Sequence, residues 1–90
     1  MRFEWDPIKA VANFRKHGVS FDETETAFVD PRAAVFLDKD HSIEEKREII
    51  IAYSNRSRLL VISFTERKGD VIRIISVRRD DPEERRNHEI

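Results

Sequence analysis

The second half of the chain is patterned for strands. "REIIIAYS", "RLLVISFTE" and "VIRIISVRR" are rich in β-branched and aromatic residues, and "NRS" and "RKGD" between them read as turns. An antiparallel meander of three long strands is predicted. The run Ile49-Ile50-Ile51 does not alternate, which predicts burial on both faces at the middle of the sheet. Over 71–79, strict alternation puts Ile72, Ile74, Ser76 and Arg78 on one face and Val71, Arg73, Ile75, Val77 and Arg79 on the other. Arg78 would then extend a core face past its apolar end.

The first half carries helical signals. Met1 to Trp5 reads as a short strand, and Asp6-Pro7 as an N-cap followed by proline at the first helical position. In the helix that follows, Ile8, Val11, Ala12 and Phe14 form the apolar side, while Lys9, Asn13, Lys16 and His17 recur at steps of three and four on another. Gly18 closes it. Ser20 and Glu23 have capping-box spacing and open a second helix over about 21–28, whose acids Glu23 and Glu25 suit a solvated or partner-facing surface. Asp30-Pro31 breaks that helix, Ala33–Leu37 is a short apolar strand, and "DKDHSIEEKR" is a polar connector with a helical turn starting at Ser42. Asp81-Pro82 starts a third helix. The predicted order is β-α-α-β-β-β-β-α over a single domain, residues 1–90. That is an α+β fold with helices packed on a small antiparallel sheet.

Charge changes the picture by its distribution. Lys plus Arg total 17 and Asp plus Glu 18, so the net charge of −1 exerts no global pull on nucleic acid or anionic membranes. Residues 19–30 nevertheless carry four acids and no base, and 71–79 carry three arginines and no acid. With no cysteine, a disulfide framework and a thiolate zinc site are excluded. No apolar run approaches a membrane span and the N-terminus has no signal-peptide core, so a cytoplasmic protein is expected.

The available chemistry is cationic. Gly18 and Gly69 are the only glycines, so there is no glycine-rich phosphate loop, and no His-Glu-x-x-His pair exists. No cofactor or metal is expected: His41 between Asp38, Asp40 and further charges reads as a solvated loop. Arg78 can grip a phosphate with two donors, or simply pair with an acid such as Glu84. "NFRKHG" reads on its own as a well-capped helix end, and becomes one wall of a phosphate site only where Lys9, Asn13, Lys16 or His17 faces the same cleft as Arg78.

Three segments together, "FEWDPIKAVANFRKHGVSFDETETAFVDP", "HSIEEKREIIIAYSNRSRLLVISFTER" and "IRIISVRRDDPEERRNHE", resemble the BrnT family of ribonuclease toxins from type II toxin–antitoxin systems. The resemblance covers nearly the whole chain in order. It implies a RelE-like fold, metal-independent RNA cleavage that arrests growth, and neutralisation by a BrnA-type antitoxin. The antitoxin's ribbon–helix–helix domain would bind operator DNA, with two toxins assembled on two antitoxins. The family pattern maps onto Trp5, Asp6, Asn13, Lys16, His17, Gly18, Arg78, Glu84 and Arg85. Val77 stands where similar sequences often carry Ala or Met, and His88 where tyrosine is common.

For metal-free cleavage, His17 is the expected base or acid, because an unperturbed histidine titrates near pH 6.5, at about neutral pH. Arg78 is the expected phosphate clamp, and Lys16, Lys9, Arg67 and Arg79 are supporting cations. Glu84 or Glu66 would act as base or orient an arginine, and Asn13 and Arg85 complete the expected RNA-binding set. The rival reading is a non-catalytic module that binds RNA or an antitoxin.

Overall fold

The computed structural model describes residues 1–80. Its elements are β1 (Arg2–Glu4), α1 (Pro7–His17), α2 (Phe21–Ala27), β2 (Ala34–Leu37), a 3-10 turn (Lys39–His41), β3 (Glu48–Tyr53), β4 (Leu59–Arg67) and β5 (Val71–Arg79). The third helix expected after Asp81 lies outside the described residues, as do Glu84, Arg85 and His88.

The helix signals act as expected. Asp6 caps α1 by accepting the Ile8 N–H at 2.9 Å, and Gly18 closes it at φ 70°, its N–H donating to the Phe14 carbonyl at 2.8 Å. The left-handed region suits glycine because no Cβ clashes there. Ser20 accepts the Glu23 N–H at 3.0 Å and so starts α2. The connector's helical turn occupies Lys39–His41, before Ser42 rather than after it, because the Ser42 hydroxyl accepts the Arg47 N–H and ties the loop to the start of β3.

The sheet order is β1-β5-β4-β3-β2. β2 through β5 pair antiparallel, but β1 lies parallel to β5, Arg2 opposite Val71 and Glu4 opposite Arg73. The sheet is therefore mixed, not purely antiparallel as expected. A three-residue strand carries no sequence signal for its partner, and the long intervening chain makes a parallel pairing possible.

One face of the sheet holds the core. Ile50, Ala52, Leu60, Ile62, Phe64, Ile72, Ile74 and Val77 meet Val19, Phe21 and Ala27 from the α2 region. Edge-to-face aromatic contacts extend it: Trp5 on Phe21 at 5.7 Å, Phe3 on Phe28 at 5.2 Å and Phe28 on Phe64 at 5.1 Å. Ile50 is buried, but Ile49 and Ile51 are only half-buried, because no helix among the described residues covers the opposite face.

Helix α1 departs from the expected packing. Its only buried residue is Asn13, while Ile8, Val11 and Phe14 are exposed. The helix lies beside β5 where β1 has ended. There the Asn13 side chain accepts the Val77 N–H at 3.0 Å and donates to the Val77 carbonyl at 2.9 Å. An amide thus takes the place of a neighbouring strand and satisfies an otherwise open edge.

Candidate functional site

A break in register decides which arginines share a face. Ser63 pairs with Ser76 but Phe64 pairs with Ile74, so Ile75 is an extra residue, a β-bulge. Beyond it the alternation of β5 is reversed: Ile72, Ile74 and Val77 are buried, whereas Ser76 and Arg78 are exposed. Arg78 therefore lies on the open face, not on the extension of a core face predicted by strict alternation. Sequence shows no glycine or proline to mark the bulge.

On that open face three residues fall in register across β5, β4 and the position just before β3. Thr65 pairs with Arg73, and continuing the β3–β4 register one residue back places Arg47 opposite Thr65. This row lies in a groove of about 500 Å³ that is also lined by Lys9, Arg67 and Ile75, and by Asp40, His41, Ile43, Glu44 and Glu45 of the connector. Cations therefore come from the strands and α1, and carboxylates from the connector.

The cations are loosely held. Arg67 lies 3.5 Å from Glu4 and 3.4 Å from Glu45, and Arg73 lies 3.6 Å from Glu4, all with substantially exposed side chains. Such pairs contribute little to stability, so a phosphate can exchange with the carboxylates at small cost. No ion pair engages Lys9 or Arg47 among the described residues. Thr65 is 2% exposed, and its hydroxyl has no hydrogen-bond partner among the described residues. A buried, unpaired hydroxyl is destabilising unless something else satisfies it.

One histidine lines the groove. Nδ1 of His41 is 2.9 Å and 3.1 Å from the two carboxylate oxygens of Asp38. An ionised carboxylate only accepts, so in the neutral ring Nδ1 carries the proton and Nε2 keeps the free lone pair. A carboxylate that fixes a histidine tautomer in this way is a recurring device of proton-transfer sites.

The expected site residues divide between two ends of β5. Lys9 and Arg67 are in the groove. Asn13 is committed to Val77, and its second contact, to the Val19 carbonyl, is 3.4 Å. Asn13 is level with Val77, and His17 lies one helical turn further on, at the end of α1 away from Lys9. Lys16 is exposed at the same end, and the neighbouring Gly18 carbonyl accepts from Arg58. His17 and Arg79 are both engaged by other groups. Arg78, about half exposed, sits 3.6 Å from Asp80 on the open face. Glu66 ends β4 in register with Ile72. Arg47, Thr65, Arg73 and the Asp38–His41 pair went unassigned from sequence, because an irregular connector has no period to say which face it covers. The one available signal was the Asp38-to-His41 spacing of three.

Residues 5–84 match the family described as the ribonuclease toxin, BrnT, of type II toxin–antitoxin systems. The chain belongs to the BrnT family. Its fold is similar to the crystal structure of the Brucella abortus ribonuclease toxin BrnT, with a TM-score of 0.69 and 24% sequence identity over 90% of this chain and 97% of that one. A search of curated proteins finds no match. BrnT membership makes this chain a ribonuclease toxin of a type II toxin–antitoxin system, which implies an antitoxin partner.

Proposed function

We propose that the chain is a metal-independent endoribonuclease whose active site is the groove on the open face of the sheet. The observation that carries this reading is the cross-strand row Arg47, Thr65, Arg73 in a groove also lined by Lys9 and Arg67, with a buried threonine hydroxyl that has no partner among the described residues. Two planar cations flanking a hydroxyl match a phosphodiester, which offers two charged oxygens and accepts hydrogen bonds.

In the proposed reaction, Nε2 of His41, held by Asp38, takes the proton of a ribose 2′-hydroxyl, whose oxygen attacks the adjacent phosphorus. Arg47, Arg73 and Thr65 stabilise the charge on the phosphate oxygens. The bond from phosphorus to the 5′-oxygen breaks, Lys9 protonates that oxygen, and the products are a 2′,3′-cyclic phosphate and a 5′-hydroxyl. Arg78, on the same face past the bulge, extends the cationic strip along the RNA. Asn13 acts by holding α1, and hence Lys9, against β5. The reading includes a cytoplasmic toxin with a RelE-like fold that slows growth through RNA loss. Its antitoxin would be of the BrnA type, a ribbon–helix–helix protein in a two-plus-two assembly, and only that partner would touch operator DNA.

The test is incubation of the purified, antitoxin-free chain with labelled RNA in EDTA. Fragments ending in cyclic phosphate are expected from the wild type, with His41→Gln slowed strongly and His17→Gln little changed. Intact RNA that is bound in a salt-sensitive manner would instead indicate the non-catalytic module. Activity lost in His17→Gln and kept in His41→Gln would move the base to the other end of β5.

A further inference from the structure

The two edges of the sheet are treated differently. At one edge β1 is three residues long and carries Arg2 and Glu4, and Asn13 closes the part of β5 that β1 does not reach. Short, charged or covered edges resist pairing with other chains. At the other edge lies β2, Ala34-Val35-Phe36-Leu37, with no charge, proline or glycine. Val35, Phe36 and Leu37 are 52%, 53% and 48% exposed, on both faces at once. Nothing among the described residues protects this edge.

The hydrogen-bonding parity of β2 determines what can add to it. The Asp38 N–H donates to the Arg47 carbonyl at 2.9 Å, so even-numbered residues of this segment point their backbone groups toward β3. The N–H and C=O of Val35 and Leu37 therefore point outward. We propose that β2 pairs antiparallel with β2 of a second copy of this chain about a two-fold axis at Val35, joining two five-stranded sheets into one.

This register satisfies parity and side chains together. Val35 N–H donates to the Val35 carbonyl of the second copy, and Leu37 N–H to the Ala33 carbonyl, each twice by symmetry. The Ala33 N–H is already used within its own chain, donating to the Asp30 carbonyl. Opposite pairs become Ala34 with Phe36 and Ala33 with Leu37, small against large. Arg32, which pairs with Asp30 at 3.1 Å in its own chain, comes opposite Asp38, the partner of His41, at each end, and Arg32 lies over the Tyr53 ring on the open face, toward which even-numbered residues of β2 point. A shift of one residue in either direction sets outward groups against inward ones, and in one direction Arg32 would meet Lys39. The strand alone offers less than the roughly 800 Å² per partner of a standard interface, so the dimer dissociates on dilution.

The chain has no cysteine, which makes a symmetric disulfide a direct reading of the register. Facing Val35 residues would have Cα atoms about 5.5 Å apart, within bridging range, whereas Leu37 and its own copy would be more than about 14 Å apart. Under mild oxidation Val35→Cys is expected to form a covalent dimer and Leu37→Cys is not. Sedimentation of the purified wild type over a concentration series should show a monomer–dimer equilibrium. Val35→Pro should remain monomeric, since it removes an outward N–H that β3 does not use. The proposal is overturned by a wild type that stays monomeric throughout the series, or by equal cross-linking of the two cysteine variants. It is also overturned if Val35→Pro weakens antitoxin binding and leaves self-association intact, because the strand would then belong to the antitoxin. The cysteine comparison does not require the proline variant to fold, and none of these measurements depends on ribonuclease activity.

Discussion

At the scale of single residues, the chain's buried polar groups do structural work that their sequence neighbours disguise. Glu23 is the clearest case. In sequence it is one acid of a surface helix; in the fold it is 7% exposed and accepts hydrogen bonds from Arg58 and from the Ser54 hydroxyl. It is therefore no part of a partner-facing acidic surface. Burial alone pushes its carboxyl up, but the bonds from Arg58 and Ser54 and the charges of Arg58 and Arg56 outweigh it and hold the group below its ordinary 4.5. The unfolded chain then binds more protons than the folded one in the window between those values. This contribution to stability is complete above the ordinary value and is lost as pH falls through the folded one. Arg58→Ala should cost about 3–5 kcal/mol by leaving a buried charge unpaired. It should also shrink the acid loss of stability that Glu23 contributes, because the folded carboxyl then titrates higher, so the gap between variant and wild type narrows as pH falls, which thermal melts from pH 7 to pH 3 would record. Asn13→Ala, which strands the Val77 N–H and C=O, should cost about 1–3 kcal/mol in denaturant titrations.

At the scale of elements, the legible features were those set by local chemistry. Asp6, Pro7, Gly18 and Ser20 announce the ends of α1 and α2, and those ends lie within a residue or so of their predicted places. The strands of the meander were equally plain from their β-branched runs. What sequence could not give was how elements face one another. Helix α1 has an apolar side, yet one asparagine docks it and Ile8, Val11 and Phe14 stay exposed. The Ile75 bulge moves Arg78 across the sheet without any local marker. Parallel pairing of β1 was invisible because three residues specify no partner. The bulge itself is testable: deleting Ile75 removes the extra residue, restores strict alternation and leaves Val77 inward with Ser76 and Arg78 on the open face, still opposite Ser63 and Val61. The predicted result is a folded chain by circular dichroism, while an unfolded one would show that the strand requires the bulge itself.

At the scale of the whole molecule, a nearly neutral chain separates its charges by face. The helix side is an apolar core closed by the Glu23–Arg58 pair, and the open side of the sheet collects Lys9, Arg47, Arg67, Arg73 and Arg78. Net charge concealed this, but the acid-free run 71–79 foreshadowed it. Lys9 and Arg67 of the groove were legible as cations, whereas Arg47, Thr65 and His41 enter only when the β3–β4–β5 register and the connector are folded together. The central claim is that RNA is cut in this groove and not at the His17 end of β5. The most direct measurement is the initial cleavage rate of Arg73→Ala beside that of Arg78→Ala, in EDTA, at temperatures where both variants are folded. Loss of one charge-stabilising donor typically costs about 10²–10³ in rate, and that loss is predicted for Arg73→Ala, with a smaller one for Arg78→Ala. A fully active Arg73→Ala beside an inactive Arg78→Ala would contradict the account and relocate the chemistry to the far end of the strand.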